Sequence, residues 1–126
     1  MVISAVLHVA IHVTDLERSA QFYGNLLRLT LADRPLSFPG LWYQVGPVQI
    51  HLIETNQCSN ALAERERWGR NPHIALAVND LEGIGKQLTA AGYRIQASAS
   101  GRAAFFVQDP DGNVIELTFL ANNVLG

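Results

Sequence analysis

The chain has 126 residues, a length that suits one domain and lets it bury roughly two thirds of its unfolded-chain surface. Its 48% apolar content is that of an ordinary globular protein, and a net charge of −2 with a pI near 6.0 offers no basic field for nucleic acid or anionic lipid. The single cysteine, Cys58, excludes an intrachain disulfide; no 18-residue apolar run and no signal-peptide pattern stands at the start, so the expectation is a cytoplasmic protein.

In chain order, Leu7–Val13 alternates and is rich in Val and Ile, which reads as a strand. Asp15 follows as a helix N-cap, and "LERSAQFYGNLL" carries Leu16, Tyr23, Leu26 and Leu27 on one helical face. Strands are predicted at Leu29–Ala32, Gly40–Val45 and Val48–Glu54, the last two joined by the turn "VGPV". The polar segment 55–72 is a linker, with a short helix expected around "ALAERERW". A strand at His73–Val78 comes next, then an N-cap at Asp80 and a helix "LEGIGKQLTAAG" stopped by Gly92. Strands close the chain at Tyr93–Ala97, Arg102–Gln108 and Val114–Leu120, the last reached through the turn "DPDGN".

This order is one unit written twice. "HVAIHVTDLE" (8–17) and "HIALAVNDLE" (73–82) align at an offset of 65, with Ala10/Ala75, Val13/Val78, Asp15/Asp80, Leu16/Leu81 and Glu17/Glu82 identical. The same offset sets Ile50 on Ile115, Leu52 on Leu117 and His51 on Glu116. We therefore expect a single α+β domain over 1–126, built from two paired βαβββ modules (4–54 and 73–121, with linker 55–72) that form a curved mixed sheet around a metal site.

A histidine or glutamate in an apolar strand is costly unless paired or metal-bound. Strand alternation places His8, His51, His73 and Glu116 on the face opposite the apolar residues. Any one alone is more often a satisfied structural residue. Two equal spacings of 43 on a repeated scaffold shift the reading to four metal ligands. Three imidazoles and a carboxylate admit one divalent ion, Ni, Zn, Co, Fe or Mn, without choosing among them. With two positions left open, such an ion would act as a Lewis acid on a chelating substrate. His12, Trp42, Arg102 and Phe106 are the candidate substrate contacts, and Arg34 and Arg70 are weaker candidates for a substrate carboxylate. Cys58 has no partner base in sequence and is read as non-catalytic.

The stretches "HVAIHVTDLERSAQFYGNLL", "VQIHLI", "PHIALAVNDLE" and "DPDGNVIEL" resemble the vicinal oxygen chelate superfamily over nearly the whole chain. That superfamily includes glyoxalase I, extradiol dioxygenases, fosfomycin-modifying thiol transferases and drug-sequestering proteins. The resemblance carries metal-ligand roles to His8, His51, His73 and Glu116. Glyoxalase I has Glu or Gln at the second of these, where this chain has His51; Arg28 stands where the family usually has glycine, which concerns a turn. Extradiol dioxygenases and thiol transferases commonly use two His and one carboxylate, so four ligands point toward a lyase, isomerase or epimerase. The expected activity is of the glyoxalase I (lactoylglutathione lyase) type: proton transfer through a metal-bound enediolate of a thiol adduct, with Glu116 or His51 as base. The alternatives are an extradiol-type dioxygenase, a thiol transferase or a non-catalytic drug-binding module. The resemblance also implies a homodimer, with each site inside one chain or shared across two.

Overall fold

The computed structural model describes residues 2–57 and 61–121. The chain divides into two compact units, Met1–Ser59 and Asn60–Gly126. Cys58 and part of the expected linker lie outside the described residues.

The first unit runs β1 (His8–Val13), α1 (Leu16–Ala20), a π-helical continuation (Gln21–Leu26), β2 (Thr30–Ala32), β3 (Gly40–Val45) and β4 (Val48–Glu54). Its sheet has the order β1-β4-β3-β2, with β1 and β4 parallel and the other pairs antiparallel. The second unit runs through a 3-10 turn (Trp68–Arg70), β5 (His73–Val78), α2 (Leu81–Ala90), β6 (Ile95–Ala97), β7 (Ala104–Gln108) and β8 (Val114–Phe119). Its sheet repeats the order as β5-β8-β7-β6, again with one parallel pair, β5 with β8. The fold is α+β, carried by two four-stranded mixed sheets.

The register repeats as faithfully as the order. His8 lies opposite Gln49 and Ala10 opposite His51; at the same offset, His73 lies opposite Val114 and Ala75 opposite Glu116. A register slip of one residue would send each polar side chain into the apolar layer, so burial of the alternate residues fixes the pairing. That layer is Val13, Phe22, Tyr23, Tyr43, Ile50 and Leu52 in the first unit, and Leu88, Phe105, Val107, Ile115 and Leu117 in the second, all buried. Burial of each large side chain contributes about 1.5–3 kcal/mol.

Both helices begin as the sequence predicts. Asp15 accepts from the backbone N–H groups of Glu17 and Arg18, and Asp80 from that of Gly83. The first helix then widens, with the Leu27 N–H reaching Phe22 O at 2.9 Å, five residues back. The adjacent Phe22 and Tyr23 are both fully buried in this wider turn. It ends on Arg28, whose φ of 59° is left-handed, whereas the left-handed residue after α2 is Gly92 at 94°. Exchanging Arg28 for glycine should therefore stabilise the chain by about 0.5–1 kcal/mol, the relief of side-chain crowding exceeding the added chain entropy. Thermal melting of Arg28→Gly reads this directly, and an unchanged or lower Tm would contradict it.

The expected helix around "ALAERERW" does not form. Residues 63–66 are bends, and the helical turn falls later, at Trp68–Arg70. The cause is a side chain. Asn71 captures the backbone of Glu64 from both sides, accepting from its N–H at 2.9 Å and donating to its carbonyl at 2.8 Å. Glu64 Oε1 in turn takes the N–H groups of Glu66 and Arg67, both at 3.2 Å. These bonds occupy the groups a helix would need. Trp68 is held in a small cluster with Phe106, Val114 and Leu62.

Candidate functional site

Each unit brings two of the four predicted ligands together. Within neither unit do three His, Cys, Asp or Glu side chains gather as metal donors among the described residues.

In the second unit, His73 Nε2 lies 3.2 Å from Glu116 Oε1. The other ring nitrogen, Nδ1, is 2.7 Å from the backbone carbonyl of Asn71. A carbonyl only accepts, so Nδ1 carries a proton. In the neutral ring, Nε2 then offers a lone pair to a carboxylate oxygen that also has lone pairs. A shared cation relieves this opposition: a proton making His73 an imidazolium, or a metal ion. Glu116 is itself well supplied with donors. Thr118 Oγ1 donates to its Oε2 at 2.5 Å, and Arg102 Nη1 approaches the same oxygen at 3.4 Å. Burial pushes the Glu116 carboxyl up, but the Thr118 hydroxyl, the Arg102 charge and the His73 bond together hold it below the usual value. The "DPDGN" turn aims this glutamate. Asp109 Oδ1 takes the N–H groups of Asp111 and Asn113 at 2.9 and 2.8 Å, and Gly112 supplies the positive φ of 89°.

The chemistry of this donor pair fits a divalent ion: an imidazole nitrogen with its proton on the far side, held by a backbone carbonyl, and an anionic carboxylate. Of the predicted substrate contacts in this unit, Phe106 stands edge-on to the His73 ring at 5.5 Å. Arg102 spans Glu116 and Ser100 Oγ, the latter at 3.0 Å. Arg70 is exposed and lines a groove of about 720 Å³ with Arg67, Ser98, Ser100 and Arg102.

In the first unit, three rings form a stack. His51 lies between His8 and Trp42, with centroids at 4.0 and 4.1 Å and planes within 13° and 6° of parallel. His51 is buried by its neighbours, and His8 is exposed. Gln49 Oε1 meets His51 Nε2 at 2.8 Å. Burial pushes the His51 imidazole below its ordinary value, and the His8 and Arg34 charges push the same way. His12 is exposed, two residues beyond Ala10 on the same face of β1 as His8. Arg34 is turned to its own loop, its guanidinium 4.5 Å above Phe38 and 3.4 Å from the Leu36 carbonyl.

Gln49, Thr118 and Asn71 escape a reading that looks only for ligands. Two of them carry a signal. Gln49 and Thr118 stand two residues from His51 and Glu116 on the same strands, so alternation puts them on the same face.

The two depressed ionisations give a pH dependence of stability. For a group whose folded value lies below its unfolded one, the unfolded state holds more protons as pH falls, so stability drops. For metal-free protein we expect Tm to decline first below the ordinary histidine value of 6.5, through His51, and again below the ordinary glutamate value of 4.5, through Glu116. Thermal melts from pH 8 to 4 test this; His51→Gln should remove the upper decline and leave the lower one.

Four likenesses bear on this geometry. The profile of the Glyoxalase/Bleomycin resistance protein/Dioxygenase superfamily matches residues 5–117. Glutathione transferase FosA of Serratia marcescens is 28% identical over 111 residues, 87% of this chain and 77% of that one. Among solved structures, a protein from Bacillus anthracis described as of the glyoxalase family superposes with a TM-score of 0.77 at 21% identity, covering 94% of this chain and 97% of its own. Lactoylglutathione lyase from Agrobacterium tumefaciens superposes at 0.63 with 18% identity, covering 92% and 93%.

Proposed function

The chain belongs to the Glyoxalase/Bleomycin resistance protein/Dioxygenase superfamily, and on that premise we propose a divalent-metal-dependent enzyme acting on a small thiol adduct, of the lactoylglutathione lyase type. The observation that supports the reading most is the approach of His73 Nε2 to Glu116 Oε1 at 3.2 Å, with the other ring nitrogen already committed to the Asn71 carbonyl. His73 and Glu116 would hold the ion. His8 completes the set in this proposal, from the same chain or from a second copy in a homodimer. A bound divalent ion supplies Lewis-acid polarisation of a substrate carbonyl.

The remaining work falls to side chains. Glu116 is a better ligand than base, because Thr118, Arg102 and His73 all favour its ionised form and so weaken its pull on a proton. His51 is the better base: its ring is neutral at neutral pH and clamped between two aromatic faces. Arg102 would meet a substrate carboxylate, and Trp42, Phe106 and His12 would line the approach.

A second reading is thiol transfer to a small electrophile, favoured by the FosA likeness over 87% of the chain. In it, His51 would take the thiol proton instead of a carbon-bound one. One experiment separates the two. Purified protein is loaded in turn with Ni, Zn, Co, Fe or Mn and given glutathione with methylglyoxal or with fosfomycin. Lactoylglutathione formation that chelation abolishes is the expected result. A thiol adduct of fosfomycin alone selects the second reading. Turnover of neither substrate with any metal, with a small molecule bound tightly, overturns both in favour of a binding module.

A further inference from the structure

We infer that the amide pair Gln44–Gln49 fixes the tautomer of His51 with its proton on Nε2, and that the ring stack keeps the free Nδ1 lone pair off an ion held by His8, so that Nδ1 is left to work as a base. The inference deepens the proposed function and rests on its assignment of His51 as base. It starts from a backbone carbonyl. Gly46 O can only accept, and Gln44 Nε2 lies 2.8 Å from it, with Val48 O at 3.5 Å. The amino end of Gln44 is thereby fixed, and its Oε1 is left to face Gln49. Gln49 Nε2 donates to that oxygen at 2.8 Å. Gln49 is now fixed as well, and its Oε1 is the atom 2.8 Å from His51 Nε2. An amide oxygen only accepts, so the imidazole proton sits on Nε2. Turning both amides over would set oxygen against the Gly46 carbonyl. Turning Gln49 alone would set oxygen against the Gln44 oxygen.

Stacking decides what the other nitrogen can reach. A ligated ion lies near the plane of the imidazole that binds it. His8 and His51 are face to face, 13° from parallel, so their planes are separated by about one ring thickness, ~3.5 Å. One ion cannot lie in both planes. With Nε2 committed to Gln49 and both faces covered, Nδ1 is the free basic atom of His51, and it has no hydrogen-bond partner among the described residues. Gln44 and Gln49 are then positioning residues. They hold the proton on one nitrogen so that the other can receive one.

The test is nitrogen-15 NMR of histidine-labelled full-length protein, before and after zinc. Metal-free protein should show a slowly exchanging proton on His51 Nε2 and none on Nδ1. Zinc should move His73 Nε2 to a metal-bound position while His51 keeps its Nε2 proton and its Nδ1 resonance stays at the metal-free position. Gln49→Leu should remove that slowly exchanging signal and lower kcat about tenfold at unchanged zinc stoichiometry. Gln49→Glu, which can still accept the proton, should restore the signal. A proton on Nδ1 in wild-type protein, a move of His51 Nδ1 to a metal-bound position when zinc binds, or a signal indifferent to Gln49→Leu would each overturn the inference. If zinc moves no histidine, the metal assignment of the proposed function fails, and the spectrum of metal-free protein still decides the tautomer.

Discussion

Replacing Glu116 with Gln should cut divalent-metal affinity about 100-fold and turnover by a similar factor, while leaving the metal-free fold within about 1 kcal/mol of wild type. The substitution keeps the size of the side chain and an oxygen that Thr118 can donate to, and removes only the charge. Arg102 loses a counter-ion, but its side chain is half exposed and water can take over. What cannot be replaced is the anionic oxygen beside His73 Nε2. A Glu116 that served only as an ion-pair partner would give the reverse pattern, a lower Tm with metal binding intact. Calorimetric titration with zinc and thermal melts of the same preparation distinguish the two. Lactoylglutathione production that continues at the wild-type rate in Glu116→Gln would also remove Glu116 from the chemistry altogether.

Asn71→Ala should destabilise the chain by about 3 kcal/mol, which lowers Tm by about 10 °C. Asn71 is buried, and its side chain makes three hydrogen bonds of 3.0 Å or less: one from Glu64 N–H, one to Glu64 O and one to Trp68 O. Truncation leaves two carbonyls and one N–H in search of partners where water enters poorly. The loss reaches beyond the fold. The Asn71 carbonyl holds the Nδ1 proton of His73, so a loosened loop lets the ring turn. Urea unfolding should therefore show the stability loss, and zinc titration a weaker site, in the same variant. A stability loss under about 1 kcal/mol would mean that solvent satisfies the Glu64 backbone without help.

Much of the frame was legible because burial imposes a period. Ile50 and Leu52 against His51, and Ile115 and Leu117 against Glu116, mark the apolar face by their spacing alone. The offset of 65 is a stronger guide than any motif, since the register that pairs Ala10 with His51 recurs at that offset as Ala75 with Glu116. The π-helical turn was not legible. Its signal is two adjacent aromatics, Phe22 and Tyr23, and the same residues suit an ordinary helix whose tertiary partners are unknown. The absent linker helix is a case of competition. "ALAERERW" has good helix formers, but Asn71, seven residues from Glu64, takes the backbone first. The amide relay was half legible. Alternation marks Gln49 as a companion of His51, yet only atomic positions show that Gln44 and the Gly46 carbonyl decide which way the amide faces.

The chain's two tryptophans fall one to each unit, and in different surroundings. Trp42 lies flat on the His51 ring, and Trp68 is buried against Phe106 and Val114. Each unit thus carries its own fluorophore. Trp68→Phe leaves emission that reports on the ring stack and should change as His51 titrates; Trp42→Phe leaves emission that follows the packing beside His73. Unfolding curves from the two variants would then show whether the two halves of the repeat melt as one body or in turn.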